Sequence, residues 1–282
     1  MRRLALVATL LACLWVGGAA AAPVPVTESA QSGEVKVELT YFFDAATDDF
    51  EQRYTQLHLR IRRADAVLVD TDVRALCSNC SVWPASGGDP DSTSVAVADL
   101  DRDGEPEVLL DLYTGGAHCC VYTTFFRFTD GTYARRAHSW GNPSYRLRDL
   151  GADGRPEFLT ADDRFNYAFS CFACSAAPIL IQRYAQGKLV NVTRNFRAQV
   201  IADANRIWAL YRRAVQKHVY PSGLLPAYLA DEYLAGRGAY GLARVRNAVA
   251  RPGWASMVEP QWRNRTRYVA AVLRFLHKTG YR

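Results

Sequence analysis

An acidic nine-residue segment occurs twice in this chain, 50 residues apart, and each copy runs into an apolar stretch. The first is Asp99-Leu100-Asp101-Arg102-Asp103-Gly104-Glu105-Pro106-Glu107, followed by Val108-Leu109-Leu110. The second is Asp149-Leu150-Gly151-Ala152-Asp153-Gly154-Arg155-Pro156-Glu157, followed by Phe158-Leu159. The glycine allows a sharp turn, so each copy reads as a loop and its β-rich flanks as strands. The likeness extends further along the chain. Gly116 to Phe128 holds Cys119 and Cys120 before an apolar run, and Phe169 to Tyr184 holds Cys171 and Cys174 before Pro178-Ile179-Leu180-Ile181. Each run then meets a turn, at Asp130-Gly131 or Gln186-Gly187. A strand-built period of about 50 residues predicts two blade-sized β units, at about 94–144 and 145–194. Residues 23–194 have room for three such units, too few for a closed propeller of about 4–8. Val35 to Val73 also alternates as strands do, as a further unit or a separate sheet. The expected fold is therefore α+β: an open sheet, sandwich or incomplete propeller, followed by helices.

The loop chemistry points to a hard cation. Carboxylates at positions 1, 3, 5 and 9 (Asp99, Asp101, Asp103 and Glu107) can converge, and the Glu105 carbonyl can add a ligand. Six to eight oxygens suit calcium better than magnesium, which keeps more of its water. Position 12 is Leu110 instead of a bidentate glutamate, and the flanks read as strands, so this is not an EF-hand. An Asx-type turn needs no metal, but four carboxylates so spaced would then repel one another. The second loop is poorer in acids. Gly151 stands where a carboxylate is expected, Arg148 and Arg155 add positive charge, and Asp149, Asp153 and Glu157 either bind calcium weakly or only reproduce the turn.

These residues resemble the FG-GAP/VCBS-type repeats of integrin α-chain propellers and of many bacterial exported proteins. The resemblance covers about residues 94–184 and rests mainly on Asp99 to Glu107. It implies a calcium loop joining two strands of one blade, with Asp99, Asp101, Asp103 and Glu107 as side-chain ligands and Glu105 as a carbonyl ligand.

Residues 1–22 read as a secretory signal: Arg2 and Arg3, an apolar run from Leu4 to Val16, then small residues. That run is too short for a membrane span of about 20 residues, and no later segment is longer or cleaner. A lipoprotein signal through Cys13 fits less well, because apolar sequence continues past it. Six cysteines follow: Cys77, Cys80, Cys119, Cys120, Cys171 and Cys174. Two C-x-x-C pairs also suit zinc, but an even count in an exported chain favours disulfides, within loop and strand surroundings.

After Asn195 the apolar period changes to three or four residues. Arg197 to Tyr220 is expected as an amphipathic helix, with a shorter helix from about Pro226, another over Leu242 to Ala250, and a last one from about Glu259 to His277. Gly236-Arg237-Gly238-Ala239-Tyr240-Gly241 matches G-x-G-x-x-G but follows a helix, so it reads as a helix-ending turn. The net charge of +6 is a sum of opposites. Residues 23–194 hold 17 basic and 24 acidic side chains, and residues 195–282 hold 15 and 4.

No Walker A loop, H-E-x-x-H or G-x-S-x-G is present, and the five histidines form no set. The leading expectation is an exported, calcium-binding, non-catalytic binding or adhesion module of the cell envelope or extracellular space, with a protein or glycan ligand. Two alternatives stay open: an exported hydrolase of envelope polymer, with its site between strands and helices, and an envelope assembly factor binding anionic polymer through the basic helices. Nucleic acid, which the pI near 9.0 suggests, is given little weight for an exported chain.

Overall fold

The structure is a computed structural model describing residues 22–48, 50–76, 83–85, 93–115 and 120–282. The expected export signal, save Ala22, and Cys77, Cys80 and Cys119 lie outside the described residues.

Three antiparallel sheets come first. Val24–Ser32 (β1), Val35–Phe43 (β2), Tyr54–Arg63 (β3) and Ala66–Asp72 (β4) pair in chain order, with one helical turn, Phe50–Arg53 (α1), between β2 and β3. The second sheet holds Trp83–Pro84 (β5), Val95–Ala98 (β6), Glu107–Tyr113 (β7), Val121–Thr129 (β8) and Thr132–Gly141 (β9). Both β5 and β6 pair with β7, at opposite ends of it. Arg146–Arg148 (β10), Glu157–Ala161 (β11), Ile179–Ala185 (β12) and Lys188–Asn191 (β13) form the third sheet. Each acidic loop joins the same two positions, β6 to β7 and β10 to β11. The paired turns also match. Asp130 (φ 50°) with Gly131 (φ 81°), and Gln186 (φ 49°) with Gly187 (φ 78°), are left-handed at both central positions, as two-residue hairpins require.

The second sheet is the middle layer. Val108, Leu110 and Leu112 of β7 pack into one core with Val37, Leu39, Leu59 and Ile61 of the first sheet. Leu109 and Phe125 face the other way, into a core with Trp140, Phe158 and Tyr184. Cover on both faces explains why β7 reads as a nearly unbroken apolar run without alternation. No closed barrel forms among the described residues.

Four longer helices follow: Arg197–Gln216 (α2), Leu225–Leu234 (α3), Gly238–Ala250 (α4) and Arg265–Lys278 (α5). On α2, Val200, Ala204, Ile207, Tyr211 and Ala214 are buried at helical spacing. Its end falls before the expected Tyr220, because His218 takes a left-handed backbone (φ 55°). The last helix starts six residues after Glu259, where Asn264 caps it by accepting the Arg267 N–H at 2.9 Å; Pro260–Trp262 is a separate 3-10 turn. Phe172–Cys174 is likewise a 3-10 turn, not the strand expected nearby, and Cys171 and Cys174 are joined by a disulfide. Cys120 is also disulfide-bonded.

The helices are anchored by residues 162–178, which leave the third sheet between β11 and β12. Phe165 and Phe169 enter the helical core, their rings 4.9 and 5.4 Å from that of Phe275. Gly223 is required at this junction. A Cβ there would lie 2.6 Å from the Cys174 carbonyl oxygen and 2.8 Å from the Ser170 Cβ. Gly223→Ala is therefore expected to cost about 1–3 kcal/mol in denaturant unfolding. An unchanged midpoint would show that the two parts are not closely packed.

Candidate metal centre

The β6–β7 loop is shaped by its own carboxylates. Asp99 Oδ2 accepts the Gly104 N–H at 3.0 Å, Asp103 Oδ1 accepts the Glu105 N–H at 2.9 Å, and Glu107 Oε2 accepts the Leu100 N–H at 3.1 Å. Arg102 and Gly104 are both left-handed, at φ 59° and 88°. That wrap leaves three buried oxygens without a hydrogen-bond partner: Asp99 Oδ1, Asp101 Oδ1 and Glu107 Oε1. Asp99, Asp101 and Glu107 place ligand oxygens within 4.8 Å of one another. Glu107 is 0% exposed; burial pushes its carboxyl up to about 8, with repulsion from Asp101 and Asp103 adding to it. Crowded, unpaired carboxylate oxygens in a desolvated site are costly unless a cation or protons neutralise them. The donor set fits a hard divalent ion.

One of the four expected side-chain ligands, Asp103, is engaged elsewhere, and Glu105, expected to offer its carbonyl, has its carboxylate in an ion pair. Asp103 Oδ2 receives the Arg127 Nη2 at 2.7 Å, and the Glu105 carboxylate pairs with Arg63 of β3. Asp101 also ties sheets together, since its Oδ2 accepts the Gln186 N–H of the β12–β13 turn at 2.8 Å.

The β10–β11 loop has the same backbone. Asp149 Oδ2 accepts the Gly154 N–H at 2.9 Å, Asp153 Oδ1 accepts the Arg155 N–H at 3.0 Å, and Glu157 Oε2 accepts the Leu150 N–H at 2.9 Å. Ala152 and Gly154 repeat the left-handed pair at φ 51° and 75°. The difference is Arg183 on β12, directly opposite Glu157 in the ladder. Its Nε donates to Glu157 Oε1 at 2.8 Å, and its Nη1 lies 3.3 Å from Asp153 Oδ2. A Cβ built on Gly151, the counterpart of Asp101, would sit 3.6 Å from Arg183 Nη2. A guanidinium thus stands among the acids of the second loop. Arg127 is its counterpart in the first, one position past the Val108–Phe126 pair, but its guanidinium reaches Asp101 and Asp103 and leaves Glu107 Oε1 unpaired. The two arginines follow their glutamates by 20 and 26 residues. Sequence reasoning missed this equivalence, because only the hairpin register reveals it.

Farther along β7, Asp111 is buried beneath Thr123, Trp140 and Tyr145. The Tyr145 hydroxyl donates to Asp111 Oδ2 at 2.8 Å, and the Trp140 Nε1 donates to the Thr123 hydroxyl at 2.7 Å. Burial pushes the Asp111 carboxyl up to about 7, despite hydrogen bonds from Thr123 and Tyr145 that favour its charge. An unfolded aspartate titrates near 3.9, so between about pH 4 and 7 the folded state holds a proton that the unfolded chain has lost. The resulting stability is full below about pH 4 and is lost as pH rises through about 7. Relative to Asp111→Asn, the wild type should therefore lose about 2–3 kcal/mol between about pH 5 and 8 in denaturant unfolding. A pH-independent difference would show Asp111 already ionised at the lower pH.

A cleft of about 790 Å³ opens beside the junction of sheet and helices. Tyr167 and Tyr220, both exposed, stand on its walls, with His218 at its edge. Inside it Glu259 accepts hydrogen bonds from the hydroxyls of Ser222, at 2.6 Å, and Ser170. Ser170 and Glu259 lie 89 residues apart, which hid the pair from sequence reasoning.

Among known proteins, the chain is 35% identical over 147 residues to a probable thylakoid lumen protein of Synechocystis sp., a match covering 50% of this chain and 43% of that protein. It is 24% identical over 208 residues to an uncharacterized protein of Sinorhizobium fredii, covering 73% of this chain and 31% of the relative. The chain thus spans less than half the length of these relatives. No family model and no solved structure matches it.

Proposed function

We propose that this chain is an exported binding module whose first acidic loop holds a calcium ion that fixes the seam between its second and third sheets. The observation that carries this reading is the set of three buried, unpartnered carboxylate oxygens of Asp99, Asp101 and Glu107. Calcium there would be held by those three residues and would supply the positive charge their desolvated oxygens lack. Further ligands would come from water or loop carbonyls. The resemblance to FG-GAP/VCBS-type loops supports the same assignment, with the sheets as blade-like units of an incomplete propeller stapled by disulfides. Export is supported by the signal expected at residues 1–22 and by the relative described as a probable lumen protein. Among the described residues no helix is long and apolar enough to cross a membrane.

The second loop does not need the ion in this reading, because Arg183 does electrostatically what calcium does in the first. The test is thermal unfolding of the protein with calcium against chelator. A rise in melting temperature with calcium, and none with magnesium at equal concentration, supports the assignment. Identical curves in calcium and chelator overturn it.

The cleft favours a second reading, a hydrolase of envelope polymer, because Ser170, Glu259 and His218 share it. Labelling of the wild type, but not of Ser170→Ala, by a serine-directed fluorophosphonate would carry that reading. Saturable glycan or peptide binding without labelling would mark the cleft as a recognition site.

A further inference from the structure

The helical part buries two of its four carboxylate side chains and ties up the other two in hydrogen bonds or an ion pair. Residues 195–282 contain 15 basic and 4 acidic side chains. Asp231 and Glu232 on α3 are 0% exposed, and Glu232 is clasped by Arg237 through two hydrogen bonds of 2.8 and 2.9 Å. Asp203 on α2 is held by Arg206 at 2.6 Å with its side chain 13% exposed, and Glu259 is taken up by Ser170 and Ser222. What the helices show to solvent is therefore cationic with almost no compensating acid.

One apolar groove lies within this surface. It has a volume of about 410 Å³ and runs between α4 and α5, over Val249, Val269 and Leu273, with Ala250 and Ala270 leaving room above them. Arg246 and Arg265 stand exposed at its rim, and among the described residues neither has a carboxylate partner. We propose that this groove docks an acidic amphipathic helix of a partner protein, its apolar stripe in the groove and its carboxylates on Arg246 and Arg265. Charge complementarity selects an anionic occupant, and the concave apolar floor selects one with side chains to insert. A bilayer surface fits less well, because it needs apolar side chains that protrude. The exposed large apolar residues of the helical part, Val219, Tyr220 and Tyr240, lie outside the groove. The proposal is independent of the calcium loops and stands or falls without them.

The test uses the full exported chain and a fluorescent model helix of about 20 residues, with leucine at i, i+3, i+4 and i+7 and glutamate on its other face. A matched peptide with lysine in place of glutamate is the control. The expected result is saturable anisotropy for the acidic peptide alone. Affinity should fall at least about tenfold for Ala250→Glu and for Arg246→Glu, each with an unchanged melting temperature, and little for Arg212→Glu at an exposed position of α2. Equal losses at Arg212 and Arg246, with no effect of Ala250→Glu, would show nonspecific polyanion binding and overturn the proposal. Binding to vesicles rich in phosphatidylglycerol but not to the peptide would make the surface a membrane site. Concentration-dependent self-association abolished by Ala250→Glu, without peptide binding, would make the occupant a second copy. Either result also overturns it.

Discussion

Replacing Arg183 by methionine is expected to lower stability by about 3–5 kcal/mol, more than Gly223→Ala costs. Glu157 is 0% exposed, and Arg183 supplies both hydrogen bonds to its Oε1. Methionine preserves much of the aliphatic stem but leaves a buried carboxylate oxygen with nothing opposite it. Removing one partner of a buried pair costs far more than the pair contributes, because the remaining charge keeps its desolvation penalty. The second expected effect is a new calcium response. Without the guanidinium, Asp149, Asp153 and Glu157 resemble the first loop, and adding Gly151→Asp supplies the missing carboxylate. Arg183→Met should thus regain part of its loss in millimolar calcium, and the double variant more of it, in urea unfolding. A loss below about 1 kcal/mol would show that solvent, not Arg183, satisfies Glu157.

Asp101→Asn should produce a crossing. In chelator the variant is expected to equal or exceed the wild type, since one of three mutually repelling carboxylates becomes neutral. In calcium at about 100 times the dissociation constant, the wild type should gain about 2.7 kcal/mol and the variant almost nothing. Asn is chosen because Asp101 Oδ2 also accepts the Gln186 N–H, and an amide oxygen can keep that bond. If Asp101→Asn loses the same stability in chelator as in calcium, the role of its charge is the ion pair with Arg127 instead. Glu107 is a poorer target, because its Oε2 holds the Leu100 N–H that closes the loop.

Local patterns carried much of this fold. The Asp-Gly segments, the two-residue turns at Asp130 and Gln186, and the apolar period of α2 each specify their element within a few residues of chain. The helix ends were less legible. The C-terminus of α2 is decided by the left-handed backbone at His218, and the start of α5 by the Asn264 cap. A sandwich was among the expectations, but which sheets stack on which faces was not legible. The apolar run of β7 fits a strand covered on both faces, but the partners of those faces, Val37 and Ile61 on one side and Phe158 and Tyr184 on the other, are far away in sequence.

The candidate site divides in the same way. Its acids are adjacent in sequence and could be named from spacing, including the weakness at Gly151. What distinguishes the loops is the cation opposite each glutamate, and Arg127 and Arg183 reach their positions through β8 and β12. Asp103 was expected among the ligands from spacing and from the resemblance, and Arg127 instead takes up one of its carboxylate oxygens. The cleft at Ser170 and Glu259 required the long β11–β12 connection to meet the helices, an arrangement no local pattern announces.

Isothermal titration of calcium into the wild type and Asp101→Asn tests the central assignment most directly. One bound ion per chain is expected for the wild type, none for Asp101→Asn, and an unchanged single site for Asp149→Asn. No heat of binding in the wild type, or one ion lost on Asp149→Asn and kept on Asp101→Asn, would contradict it.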